Sequence, residues 1–449
     1  LDYLDIFSRF AADLEYDTLT PEIKDQVGWI LADTLAAMVA GSAEPELRAL
    51  VARQPEGKSA SLIGLGRTAT ADVAALINGT AGTFLEMDEG NRFSRGHPAI
   101  HVIPAALALC EERGLPAEAF LSAVVTGYEV GSRLGAASML RGSMHPHGTW
   151  GTVAAAAACA RAAGLDSVAM REAINIGSSL TTATSKQTML EGGLVRNVYA
   201  GLSNRHGLLA LQLVDSGFTG ENDGLTSLFG KIISERFDTA VLLQGLGSEW
   251  HLMRNYFKLH SCCRYNHGTL DALDALAARD ALPDPADIRH IQVDTYSYAA
   301  ELHDKSPKNT LAAKFSVPFA VATRLINKSS ALSSFTWQAV RDPVVLALAQ
   351  KVDVREDTAM TRRLPLERPA KVVITLNNGQ TVTGEAGVNR GDDASPYSRE
   401  ELGSKFIDLT QRVWPISHAH EALDATLGLA AGRVTLAHWV ELLRQAPSA

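Results

Sequence analysis

The segment Pro21-Glu-Ile-Lys-Asp-Gln-Val-Gly-Trp-Ile-Leu-Ala-Asp-Thr-Leu-Ala-Ala-Met-Val-Ala-Gly41 constrains the fold more than any other stretch of the chain. Proline stands at its start and glycine at its stop, and its apolar residues recur at helical spacing. Similar patterns occupy Thr70–Glu86, Pro98–Glu112, Ala117–Leu134, Gly151–Ala163 and Asn204–Ser216, with Gly and Pro in the gaps. Asp88 follows the second of these patterns, just before a loop. About the first 250 residues therefore predict an all-α domain. Within it, Val153–Ala163 is the most apolar run, Ala-rich and interrupted by Arg161. It is too short for a membrane span and predicts a tightly packed core helix.

The texture then changes. Ile288–Tyr298 alternates apolar and polar residues, with β-branched and aromatic side chains that favour a strand. Lys371–Gly384 predicts a hairpin turning at Asn378-Gly379. Helical segments lie between and around them at Asp271–Ala278, Ala312–Ile326 and Asp342–Lys351. The expected organisation is mainly α: a large helical domain over residues 1–266, a smaller α+β domain over 267–395, and C-terminal helices over 396–449 that return to the first domain. The predicted helices of the last part are Arg399–Val413 and Val434–Gln445.

A formal charge of −9 with no basic run argues against nucleic acid or an anionic membrane as partner. An anionic small molecule would need a local cluster of cations working against that global sign. Four cysteines, Cys110, Cys159, Cys262 and Cys263, are too few and too irregular for a disulfide framework. With an acidic amphipathic start unlike a signal peptide, they predict a cytoplasmic protein.

Gly64-Leu-Gly66 lacks the third glycine of a dinucleotide fingerprint, and no Walker A loop or Gly-x-Ser-x-Gly elbow occurs. Reactive groups concentrate instead in Asn255–Gly268, which holds Lys258, His260, Cys262, Cys263, Arg264, Tyr265 and His267. Adjacent cysteines rarely converge on one metal ion, so Cys262 and Cys263 read as buried small hydrophobes. Lys258 sits among apolar and aromatic neighbours. Burial would lower its pKa, and a nearby Arg264 would lower it further, as suits a base acting on a carbon acid. Arg264 also has the fork that grips carboxylates. His97…His101 and His145-Pro-His147 lack the glutamate of a zinc hydrolase, and fit proton transfer or anion binding better. Asp88 gains interest from the Arg92…Arg95…His97 cluster that follows it.

These pieces, taken in order, resemble the MmgE/PrpD family. The likeness rests on Asp33–Gly41, Asn78-Gly-Thr-Ala-Gly82 leading to Asp88, His97-Pro, Thr126-Gly-Tyr-Glu-Val130 and His145-Pro-His-Gly-Thr149. It continues through Gly192-Gly193, Ala200-Gly201, the Lys258…Cys262 segment and Ala313-Lys-Phe-Ser316, covering nearly the whole chain. The family includes 2-methylcitrate dehydratase, cis-aconitate decarboxylase and iminodisuccinate epimerase. The resemblance implies a cofactor-free enzyme without a metal, usually a homodimer, whose site between a helical domain and an α+β lid binds small di- or tricarboxylates. Asp88, His97, His145 and Lys258 stand where the family has its active-site Asp, His, His and Lys.

Three departures shape the expected activity. Many members have a lysine and then Leu-His where this chain has Arg196-Asn-Val-Tyr199. The usual aspartate pair is Asp88-Glu89, and the usual proline before the cysteine is Ser261. They point to the iminodisuccinate-epimerase branch. The expected reaction is removal of a Cα proton from a substituted succinate and its return on the opposite face. Lys258 and His145 would transfer the protons, with Tyr199 or Tyr265 as substitutes. Arg196, Arg264, Arg92 and His97 would hold carboxylates, and Asp88 would orient a histidine or bind the imino nitrogen. The alternatives are a dehydratase or decarboxylase acting on a tricarboxylate, and a non-catalytic helical scaffold.

Overall fold

A computed structural model describes residues 2–447. The chain is mainly helical, and its architecture follows from which helices have no polar face. Pro21–Gly41 forms one continuous helix, capped where the Thr20 hydroxyl accepts the Ile23 N–H at 3.5 Å. From Val27 onward every residue of it is buried, so it is a core element and not a surface helix. Trp150–Ala162 is buried along its whole length apart from Arg161. It packs against Ala117–Ala137, Ser167–Ser179 and Val198–Asp215, all close enough to require the alanines.

Another crossing positions the functional residues. Helices Ala71–Thr83 and Val198–Asp215 touch through glycines. A Cβ on Gly201 would lie 2.2 Å from the Leu76 carbonyl oxygen, and one on Gly79 would lie 2.8 Å from the Gly201 Cα. This contact brings the segment after Thr83, which carries Glu86 and Asp88, beside the segment before Val198, which carries Arg196.

The two largest clusters of buried apolar side chains are one drawn from both ends of the chain and a second built mostly from residues 262–374. The second surrounds a four-stranded sheet. Strand Thr381–Ala386 pairs antiparallel with Ala370–Leu376, which pairs antiparallel with Ile288–Thr295, and Val352–Glu356 lies parallel on the far edge. Gly379, at φ +87°, supplies the left-handed residue of the expected hairpin turn. The C-terminal helices Arg399–Thr410 and Ile416–Ala430 pack on Pro21–Gly41. A buried ion pair, Lys405 Nζ to Asp33 Oδ1 at 2.5 Å, joins them.

Several expectations are corrected. The helix expected to run to Glu86 stops at Thr83, and Glu86 takes a left-handed φ of +55°. The segment Ala312–Ile326 divides into Thr310–Lys314 and Val317–Ile326, because the Ser316 hydroxyl caps a new helix by accepting the Phe319 N–H. Strand Val352–Glu356 escaped sequence reading because only Val352 is fully buried and charged residues dominate the rest, as befits an edge. Helix Ile416–Ala430 was missed because Pro415 reads as a stop, whereas it stands at the helix N-cap. Among the described residues no helix is long and apolar enough to cross a membrane.

Candidate active site

A cavity of about 140 Å³ lies where the helical body meets the segment around the sheet. Its wall brings together Glu86, His97, His145, His147, Arg196, Tyr256, Cys263, Arg264, Tyr265 and Arg368, which come from six separate stretches of chain. Six cations, Arg95, Arg141, Lys186, Arg196, Arg264 and Arg368, line it against two carboxylates, Glu86 and Glu301. In a chain of net charge −9 this local reversal of sign marks a site for an anion.

Proton-handling groups occupy one wall. Asp88 Oδ2 lies 2.7 Å from His97 Nδ1. Burial alone would raise the Asp88 carboxyl, but His97, Lys258 and Arg196 outweigh it and hold it well below the usual carboxylate range. The ionised carboxylate therefore fixes the Nδ1–H tautomer of His97 and leaves Nε2 to exchange a proton. Next to it stand His147 and then His145, with ring centroids 4.8 Å apart at each step. His145 Nδ1 accepts the His147 backbone N–H at 3.0 Å, so neutral His145 carries its proton on Nε2. Burial, helped by Arg196 and the neighbouring histidines, pushes both His145 and His147 well below the ordinary imidazole value. His145 and His147 are thus held neutral among permanent guanidinium charges. His101 lies behind them, its ring nitrogen bonded to the His97 carbonyl oxygen at 2.8 Å, and burial lowers it to about 4.

Lys258 is fully buried and is absent from the cavity wall. Its Nζ lies 3.6 Å from Asp88 Oδ1 and 3.8 Å from Glu86 Oε2. Glu86 in turn meets Arg196 Nη1 at 2.5 Å. Lysine, two carboxylates, histidine and arginine thus form one buried chain of alternating charge. The left-handed backbone at Glu86 is a costly conformation for a non-glycine residue, and it places this carboxylate between Lys258 and Arg196.

The structure gathers His97, His145, Arg196 and Arg264 on one cavity, with Asp88 directly behind His97. Other expectations change. Arg264 does not flank Lys258; its guanidinium reaches Asp392 Oδ1 at 2.8 Å, the Arg390 carbonyl at 2.9 Å and His267 Nδ1 at 2.9 Å. Arg92 lies outside the cavity wall, 2.6 Å from Asp393 and 3.4 Å from Asp392, so its charge is already matched. Tyr199 touches the site only through an edge-on contact with the His145 ring, centroids 5.9 Å apart. Tyr265 lines the cavity, but burial pushes its phenol well above the usual range, which suits a hydrogen-bond donor and not a base. Cys262 is enclosed, whereas Cys263 reaches the wall with a thiol that burial pushes up to about 12. His260 faces away, 3.2 Å from Asp271, beside an Asp274 that Arg324 holds at 2.7 Å.

Sequence reading missed Glu86 and Arg368. Glu86 lies two residues from Asp88 and would have stood out had the helix been ended at Thr83. Arg368 precedes Pro369 at the entrance to a strand, and no local pattern distinguishes it from a surface arginine.

The fold and this site define a class: a mainly helical enzyme scaffold around a cation-lined cavity, with a histidine in its wall backed by an aspartate. Family models described as the MmgE/PrpD N-terminal domain and the MmgE/PrpD C-terminal domain match residues 5–234 and 260–430, and the chain belongs to the MmgE/PrpD family. It is 25% identical over 453 aligned positions to the cis-aconitate decarboxylase of Aspergillus terreus, covering 94% of this chain and 92% of that protein. The cis-aconitate decarboxylase of Mus musculus is 27% identical over 366 positions, covering 74% of this chain and 70% of the relative. That of Homo sapiens is 25% identical over 363 positions, covering 74% and 71%. The relatives give no support to the epimerase expected from the departures at Arg196, Tyr199 and Ser261. They favour the lyase that stood as its alternative.

Proposed function

We propose that this chain is a lyase that removes CO2 from a small unsaturated polycarboxylate of the cis-aconitate kind. The observation that carries the reading is the excess of cations around a cavity whose wall includes His97, with Asp88 bonded directly behind it. Relatives named for cis-aconitate decarboxylation across most of both chains support the same substrate class.

The chemistry follows from the charges. The bond from carbon to one carboxylate breaks and CO2 leaves. That electron pair forms a new double bond, and the pair of the old one moves to the carbon beside a remaining carboxylate. This carbon takes one proton, so a trianion and a proton yield a dianion and CO2. Negative charge spreads over the remaining carboxylate in the transition state, where preorganised guanidinium groups stabilise it most. Arg196 stands on the wall to do so. His97, as an imidazolium whose Nδ1–H is held by Asp88, delivers the proton from Nε2. His145, neutral with its proton on Nε2, faces the same cavity as a hydrogen-bond donor to a substrate carboxylate. Lys258 acts as a positioning residue, holding the Asp88 and Glu86 side chains in place. The homodimer that the family likeness implies belongs to this reading, and exposed Val168, Val195, Phe218 and Ile232 offer apolar surface for it.

The test is direct. Purified protein supplied with cis-aconitate releases CO2 in proportion to enzyme added. Absence of CO2 release, with alkene formed from 2-methylcitrate instead, establishes the dehydratase. Exchange of solvent deuterium into an iminodisuccinate without loss of CO2 restores the epimerase.

A further inference from the structure

We propose that Arg368 anchors a second substrate carboxylate at the end of the cavity nearest the sheet, and so selects polycarboxylates over shorter acids. The inference rests on the polycarboxylate reading above and adds to it the group that recognises the far end of the molecule.

Arg368 is 3% exposed and its side chain lines the cavity. Among the described residues no carboxylate lies within ion-pair distance of it; the nearby Asp392 is engaged by Arg264 at 2.8 Å and Arg92 at 3.4 Å. Among the described residues its one side-chain hydrogen bond is from Nη2 to the Arg92 carbonyl oxygen, at 3.2 Å. Nη1 is buried with no partner. A guanidinium cannot shed its charge, and leaving it buried without an anion costs several kcal/mol. The fold nonetheless holds it firmly. Its guanidinium packs over the rings of Tyr256, at 5.8 Å, and Tyr265, at 5.4 Å, and both tyrosines also line the cavity. A preorganised, uncompensated cation facing an internal space is what recognition of a carboxylate requires.

Arg368 differs in this from the two other buried guanidinium groups of the wall, Arg196 and Arg264. Arg196 already faces Glu86, and Arg264 already faces Asp392. Substrate must compete with those carboxylates, whereas at Arg368 it meets an unmatched charge. A molecule with one carboxylate near Arg196 and another on Arg368 would engage both of these wall cations.

The test uses the whole protein and three unreactive probes: tricarballylate, glutarate, which lacks its central carboxylate, and methylsuccinate, which lacks a terminal one. Binding is measured by calorimetry for the parent, R368Q and R368K. R368Q is expected to weaken tricarballylate by about 10- to 100-fold. It is expected to leave unchanged whichever truncated acid lacks the group that Arg368 holds. Equal weakening of all three probes, or tricarballylate affinity within about twofold of the parent, overturns the proposal. If R368Q shows no cooperative melting, R368K keeps the charge without the fork and reads the same contrast. A parent that binds tricarballylate but releases no CO2 from cis-aconitate refutes the reaction alone. A parent that binds no polycarboxylate overturns both.

Discussion

Asp88 and His97 face each other at 2.7 Å across nine residues of chain, with Lys258 closing on the other oxygen of the aspartate at 3.6 Å. The carboxylate is thereby matched on both sides, and its proton-directing role depends on staying ionised. Asp88→Asn removes the charge and offers His97 Nδ1 an amide N–H, which selects the opposite tautomer. The turnover number for cis-aconitate should fall about 10²- to 10⁴-fold with KM changed far less. Steady-state CO2 release checks it, and loss confined to KM would assign Asp88 to binding.

Lys258→Met leaves Asp88 and Glu86 buried without their common counter-charge. The expected destabilisation is about 3–5 kcal/mol, seen as a lower midpoint in chemical denaturation, together with loss of activity. A variant as stable as the parent but inactive would place Lys258 in contact with substrate.

Arg196→Gln frees Glu86 from its partner at 2.5 Å and takes a cation from the wall. KM for cis-aconitate should rise by about 10- to 100-fold. An unchanged KM would remove Arg196 from substrate binding.

Glu89 holds the His97 loop by accepting the Ala99 N–H at 2.9 Å and the Tyr128 hydroxyl at 3.0 Å. Burial raises its carboxyl to about 8. Between the unfolded value near 4.5 and about 8 the folded state binds the extra proton, so stability falls as pH rises through that window. Glu89→Gln mimics the protonated form and should lose less stability between pH 5 and 8, with a difference on the order of 1–3 kcal/mol at the upper end. Melting curves across pH test this, and parallel curves for the two proteins would refute it.

Gly201→Ala puts a Cβ 2.2 Å from the Leu76 carbonyl oxygen and forces two helices apart. Destabilisation of about 1–3 kcal/mol is expected, with reduced turnover because Arg196 and Glu86 hang from those helices. Full stability and activity would show that the crossing does not set the site.

Much of this protein could be read locally. The Pro21–Gly41 helix, the Ala-rich core helix and the Asn378-Gly379 hairpin follow from periodicity, capping and turn chemistry, each decided within a few neighbouring residues. His97 and His145 also announced themselves, as histidines beside Pro at the mouth of a helix, whereas Arg196 was singled out only through the family resemblance. What local patterns could not contain is which charge faces which. Lys405 meets Asp33 across 372 residues, Arg264 turns to Asp392 across 128, and Arg196 finds Glu86 only because Gly79 and Gly201 let two helices touch. Electrostatic pairing acts through space and is decided after the chain has packed. The sequence by itself therefore determined the helices and the kinds of reactive group. Tertiary structure alone decided that Lys258 stands behind the wall, that Arg92 is already matched, and that Arg368 remains a buried cation with no anion of its own.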